Sequence, residues 1–221
     1  MLDFFIFMIE YHMNQRNIIM PKFKRVFFTG GPCSGKGTII KLLIKNYVYL
    51  QHVPIGEILR ESQQNSSVNK EINNGRLGDN GFVFNIVDKA VKNTNNQYVI
   101  IDGFPRTVDQ VKQLVQYTNN YNIQVIYLDV QTKTMLERIQ KRSEDIWPAR
   151  ADDLNKNANN ERIKIFCEQT LPAIKLLKLV AKHNIIQFSK VNSECKLEEG
   201  YKQVRKALGL LTPGEYNQNN L

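Results

Sequence analysis

Apolar residues along this chain fall into short unbroken runs separated by longer amphipathic stretches. RVFFTG, from Arg25 to Gly30, is aromatic and β-branched and ends in glycine, and YVIIDG (98–103) and QVIYLDV (124–130) have the same character. A short continuous apolar run bounded by turn residues marks a strand buried on both faces. Between the runs the period changes. KGTIIKLLIKNY puts Ile39, Ile40, Leu43 and Ile44 on one helical stripe, and VDQVKQLVQYT, KTMLERIQKR and LEEGYKQVRKALGL read as further helices. Strands alternating with helices predict an α/β fold, a parallel sheet with helices on both faces. The asparagine-rich stretches NTNNQ and NKNANNE are expected to be surface loops.

Composition narrows the picture. The 221 residues carry a net charge of +9 with 42% hydrophobic residues, enough for one generous domain with a real core. The positive charge invites anionic partners. It is spread along the chain and not gathered into a dense block, so a small polyphosphate substrate fits it as well as nucleic acid does. The charge alone does not choose, and it is the motifs below that leave nucleic acid out of the expected partners. No run of about 18 apolar residues could span a bilayer, and no membrane anchor is expected. Cys33, Cys167 and Cys195 are far apart in sequence and give neither a disulfide framework nor a zinc cluster. They point to a reducing compartment, with the cytoplasm as the expected location. Residues 1–24 read as an N-terminal extension, an extra helix or strand packed on the body. Asp3 and Glu10 argue against a targeting signal there, though organelle targeting stays open. Residues 211–221 form a polar tail.

The chemistry starts at FFTGGPCSGKGT, residues 27–38. A strand, the G-x4-G-K spacing and a helix start occur together, which makes a backbone nest for phosphate oxygens under a helix N-terminus. Lys36 would reach the β- and γ-phosphates, so the loop is expected to bind a nucleotide polyphosphate. It departs from the usual formula in one respect: Lys36 is followed by Gly37 and only then by Thr38. Asp102 closes a buried strand, where a carboxylate can organise Mg²⁺ through its waters. A set of arginines follows. Arg138 and Arg142 are four apart on one helix, and Arg150 and Arg162 come later. Convergent arginines are what phosphoryl transfer needs, because that chemistry depends on positioning and charge neutralisation.

GGPCSGKGT, DGFPRT with Gln110, RIQKRSED followed by ARADD, and Arg162 resemble the nucleoside monophosphate kinases, specifically the adenylate kinases, over residues 25–210. The Gly-Thr after the lysine is that family's own form of the loop. The resemblance implies a P-loop NTPase-type, five-stranded parallel sheet flanked by helices, with an inserted monophosphate-binding lobe at about 54–84 and a short lid at about 142–153. It implies reversible, Mg²⁺-dependent phosphoryl transfer from ATP to AMP giving two ADP, by a monomer. A UMP/CMP kinase with the same mechanism, or a low-activity nucleotide sensor, is the alternative.

The resemblance also implies roles for individual residues. Lys36, Arg106, Arg142, Arg150 and Arg162 would be catalytic. Gly31, Cys33, Ser34, Gly35, Gly37, Thr38, Arg138 and Cys195 would join Lys36 and Arg142 in holding ATP. Ile55, Arg60, Arg76, Leu77, Gly78, Gly103, Phe104, Pro105 and Gln110 would join Arg106, Arg150 and Arg162 in holding AMP. Asp152 and Asp153 would close the lid by pairing with arginines. Several positions depart from the family pattern: Cys33 stands where glycine is usual, Pro54 and Ile55 replace hydroxyl residues, and Gly78-Asp79 replaces Val-Pro. The lid carries about two extra residues, with Trp147 and Pro148 inside it, and no Cys or His suited to zinc. Gln110 favours AMP, because the UMP/CMP kinases typically have Asn there.

Overall fold

The structure, a computed structural model, describes residues 25–62, 80–92, 98–144 and 156–210. The elements in chain order are β1 (Arg25–Gly30), α1 (Lys36–Asn46), β2 (Leu50–Pro54), α2 (Ile55–Ser62), α3 (Asn80–Lys92), β3 (Tyr98–Asp102), α4 (Val108–Gln116), β4 (Ile123–Asp129), α5 (Thr132–Glu144), α6 (Lys156–Ile165), α7 (Leu171–Lys182), β5 (Gln187–Asn192) and α8 (Leu197–Leu208). The extension 1–24, the NTNNQ stretch, Arg76, Leu77, Gly78, Trp147, Pro148, Arg150, Asp152, Asp153 and the tail 211–221 lie outside the described residues.

The five strands form one sheet in the order β2-β3-β1-β4-β5, every neighbour parallel. The α/β expectation holds. The three strands read from apolar runs are the three central ones. β1 is buried at every position, and β4 at all but its last. β2 and β5 are the sheet's edges, and their patterns mix buried with exposed residues.

Alternate residues of the central strands feed two cores, as the period of two requires. Phe27, Ile101 and Val125 point to a cluster closed by Val83 and Val87 of α3, Val111 and Leu114 of α4, and Leu177 of α7. Val26, Phe28, Ile100, Ile126 and Leu128 point the other way, under Ile40 and Leu43 of α1 and Val204 and Leu208 of α8. The stripe predicted on α1 is largely the one buried: Ile39, Ile40 and Leu43 are in the core, and Ile44 packs partly against it.

One expectation needs correction. NKNANNE is not a loop, because α6 begins at Lys156 and runs through it. Ala158 and Asn159 are buried, and so is Ile165 one to two turns on, so tertiary packing overrides the low helix propensity of asparagine. α6 passes through a π-helical turn, Phe166–Thr170, directly into α7. Among the described residues, no helix is long and apolar enough to cross a membrane.

Candidate active site

Successive strands leave β1 in opposite directions along the sheet: β2 and β3 lie on one side, β4 and β5 on the other. Such a switch opens a crevice at the carboxyl ends of the strands. A cavity of about 710 Å³ lies there.

The segment between β1 and α1 forms the floor. Gly30 through Thr38 all line the cavity, so the structure brings together Gly31, Cys33, Ser34, Gly35, Lys36, Gly37 and Thr38 as the spacing predicts. Gly35 caps α1 in the left-handed region at φ 85°, where a side chain would be strained. Cys33 also has positive φ, 50°, and accepts that strain as a non-glycine residue. The Lys36 ammonium is folded back onto the loop. It donates to Gly30 O and Gly31 O, both at 2.9 Å, and to Ser34 Oγ at 3.1 Å. All three protons are used, so an arriving phosphate must compete for them. Burial lowers its pKa to about 8; Asp102 opposes the shift, and the positive charges of Arg106 and Arg162 add to it.

Asp102 ends β3 opposite Pro54 of β2 and beside Phe28 of β1. Burial pushes its carboxyl up, but contact with His52 and the positive charges of Lys36 and Arg106 outweigh that and hold it below the usual range. His52 Nε2 is 3.7 Å from Asp102 Oδ2, too long for a hydrogen bond, and is buried with no hydrogen-bond partner among the described residues. The chain's pattern gave no hint of His52: the β2–β3 register pairs it with Ile100, and its side chain reaches Asp102 diagonally across the two strands. An ionised, largely enclosed carboxylate next to a phosphate loop fits Mg²⁺, which binds through one or two carboxylates, waters and substrate phosphates and needs no protein cage.

The wall on the β2 and β3 side carries Ile55, Arg60, Gly103, Arg106 and Gln110, all lining the cavity. Gly103 N–H donates to Phe28 O at 2.9 Å, tying the segment after β3 to β1. Arg106 Nε donates to Gly103 O at 2.8 Å. Phe104 and Pro105 do not line the cavity with this group. Phe104 is fully buried in the core against Phe27, and the Pro105 carbonyl accepts from Thr29 Oγ1 at 2.6 Å. The two residues therefore brace the segment that presents Arg106. Gln110 lies in the first turn of α4, which Thr107 caps by accepting from the Gln110 N–H at 3.2 Å.

Arg138, Arg142, Arg162 and Cys195 line the same cavity. Arg138 bridges two segments, donating to Cys33 O at 3.3 Å and to Ser193 O at 2.6 Å. Ser193 adds a hydroxyl bond to Ser34 O at 2.6 Å. The loop after β5 is thereby fastened to the phosphate loop from two sides, a link that sequence spacing could not reveal. Cys195 Sγ donates to Asn192 O at 3.0 Å.

The arrangement is a cavity with an anion nest and a lysine, one carboxylate beside them, and five arginines around it. It suits the neutralisation of a chain of phosphates.

Comparison with known proteins agrees. Residues 28–182 match the family model described as adenylate kinase. An adenylate kinase of Prochlorococcus marinus (strain NATL2A) is 30% identical over 84% of this chain and 99% of its own length. A second, from P. marinus subsp. pastoris, is 34% identical over 72% of this chain and 85% of its own. UMP-CMP kinase 1 of Oryza sativa subsp. japonica is 27% identical over 81% of this chain and 72% of its own. With a family match across most of its length and a cavity built for phosphates, the chain belongs to the adenylate kinase family and is a nucleoside monophosphate kinase.

Proposed function

We propose that the protein catalyses reversible, Mg²⁺-dependent transfer of the γ-phosphoryl group of ATP to AMP, giving two ADP. The observation that carries this reading is that one cavity is lined by a phosphate nest with Lys36 and by Arg60, Arg106, Gln110, Arg138, Arg142 and Arg162. A triphosphate and a second phosphorylated ligand can lie end to end in it.

Lys36 leaves its loop carbonyls for the β- and γ-phosphate oxygens, and the nest N–H groups take the rest of the polyphosphate. Cys195 and Arg138 flank the ATP base. Arg60 and Arg106 hold the acceptor phosphate in line, and Arg142 and Arg162 neutralise the charge of the moving group. Gln110 and Ile55 face the acceptor base. Outside the described residues, the family resemblance assigns Arg76, Leu77 and Gly78 to the acceptor base, Arg150 to the reacting phosphates together with Arg162, and Asp152 and Asp153 to lid closure. No general base is needed, because the acceptor is an ionised phosphate. Asp102 would hold Mg²⁺ through its waters, and the ion would supply positive charge to the phosphates. Closing the two lobes excludes water and suppresses hydrolysis.

A second reading, transfer to CMP or UMP, is favoured by the relatives named UMP-CMP kinase; Pro54 and Ile55, which line the cavity, weaken the case for AMP without naming another base. A coupled assay of the purified protein with Mg-ATP against AMP, CMP, UMP, GMP and dAMP tests both. The fastest turnover with AMP supports the first reading, and with CMP or UMP the second. ATP binding without transfer to any acceptor would refute both and leave a nucleotide sensor.

A further inference from the structure

The Gln110 side-chain amide is held at both ends. Its Oε1 accepts the Arg106 backbone N–H at 2.7 Å, and its Nε2 donates to Asn80 Oδ1 at 3.1 Å. Gln110 is only 3% exposed yet still lines the cavity. Asn80 is the first residue of α3, which packs against α4, and α3 and α4 each contribute a residue, Val83 and Gln110, to the cavity lining.

The two bonds fix which way the amide faces. A primary amide has two Nε2 hydrogens and two Oε1 lone pairs. One of each is taken, and the others have no partner among the described residues. Turning the amide over would set Nε2 against the Arg106 N–H, donor against donor, a buried mismatch worth about tenfold or more in population. Left in place, the amide offers a ligand one donor beside one acceptor in a set order. A base edge with a ring-nitrogen acceptor next to an exocyclic amino group matches that order. An edge with a ring N–H next to a keto oxygen is its reverse and meets donor with donor.

We propose that Asn80 is a positioning residue for acceptor specificity: the Arg106 N–H sets which end of the Gln110 amide is oxygen, and Asn80, by holding Nε2, fixes the torsion at which that amide meets the acceptor base, so that amino-bearing bases are selected over keto-bearing ones. This rests on the proposed phosphoryl transfer to a monophosphate, but not on whether a purine or a pyrimidine is preferred. Asn80 reaches the acceptor base only through Gln110.

The test compares kcat/KM for AMP with IMP, and for CMP with UMP, in the wild type, Asn80→Ala and Asn80→Asp, with Mg-ATP as donor. Each pair exchanges an amino group for a keto oxygen on the same ring. The wild type is expected to favour the amino member of whichever pair it accepts. Asn80→Ala is expected to shrink that ratio about 5–10-fold, the worth of one hydrogen bond, by raising KM for the amino acceptor while KM for ATP stays put. Asn80→Asp keeps an acceptor oxygen at the same reach and is expected to keep the ratio. If Asn80→Ala does not fold, as judged by circular dichroism, Asn80→Ser carries the same expectation, because its hydroxyl is too short to reach Gln110. An unchanged ratio in a folded Ala or Ser variant overturns the proposal, as does a wild type that favours the keto member. Both results leave phosphoryl transfer itself standing. A wild type that transfers to no monophosphate overturns the proposal together with the function on which it rests.

Discussion

Raising the pH from 7 to 9 in the free protein perturbs the Lys36 ammonium well before an ordinary lysine would respond. Burial, with Arg106 and Arg162 adding and Asp102 opposing, lowers its pKa from 10.5 to about 8. The charged fraction then falls from about 90% at pH 7 to about 10% at pH 9, whereas a lysine at its reference value would lose about 3%. If the charged form is the one that takes the triphosphate, the apparent affinity for ATP falls about tenfold over this range. Phosphate beside the ammonium restores its proton, so binding at pH 8.5–9 takes up a large fraction of one proton. Titration calorimetry in two buffers of different ionisation heat measures that uptake directly. Stability should move the opposite way. Between pH 8 and 10.5 the unfolded chain holds more protons than the folded one, so stability rises with pH in that window. Up to pH 9.5 the increment is about 2 kcal/mol. Above that, Tyr49 and Tyr127, whose pKa values burial raises, begin to oppose it. Urea titrations of the wild type and Lys36→Met at pH 7 and 9.5 isolate the effect, because the variant lacks the increment. ATP affinity that is flat to pH 9.5, with parallel stability profiles, would refute the buried-ammonium account.

Other perturbations follow from close contacts in the same loop. In Gly31→Ala the new Cβ would lie 2.5 Å from Met135 Sδ and 2.6 Å from its Cε, and Met135 is fully buried among Tyr127, Val130, Phe166 and Ile174. Overpacking of that kind costs about 1–3 kcal/mol, read as a lowered urea midpoint with an unchanged slope; an unchanged midpoint would mean that the methionine moves freely. At Cys33, with φ 50°, valine is expected to destabilise by about 1–2 kcal/mol relative to glycine, because a β-branched side chain tolerates positive φ poorly; equal melting temperatures for the two variants would contradict this. Arg106→Ala should lower turnover by orders of magnitude with the fold intact by circular dichroism. Arg106→Lys should recover little of it, since a point charge cannot fork two phosphate oxygens. Near-normal turnover in Arg106→Ala would overturn the role assigned to Arg106, and near-normal turnover in Arg106→Lys would show that a point charge suffices there.

What the sequence determined alone was whatever local physics repeats. RVFFTG, YVIID and QVIYLD announce the three central strands because a strand buried on both faces must be apolar at nearly every position. The phosphate loop is legible for a similar reason, since a nest of backbone N–H groups needs glycines and a following helix at fixed spacing. Asp102 is legible as a single charge ending such a strand, but Asp129 ends QVIYLD in the same way, and only the motif that follows, DGFPRT, sets Asp102 apart. Tertiary structure decided the rest. LQHVP and QFSKVN became β2 and β5 only as edges, where one neighbour and partial solvent exposure leave a mixed pattern that periodicity does not separate from loop. The asparagine-rich start of α6 is helical because Ala158, Asn159 and Ile165 are buried against the body. His52 meets Asp102 diagonally across two strands, Arg138 fastens the loop after β5 to the phosphate loop, and Asn80 holds Gln110 across two helices 30 residues apart. These contacts join residues distant along the chain, and their energies depend on where a backbone atom or a partner's lone pair lies in space. No spacing in a linear pattern encodes that position.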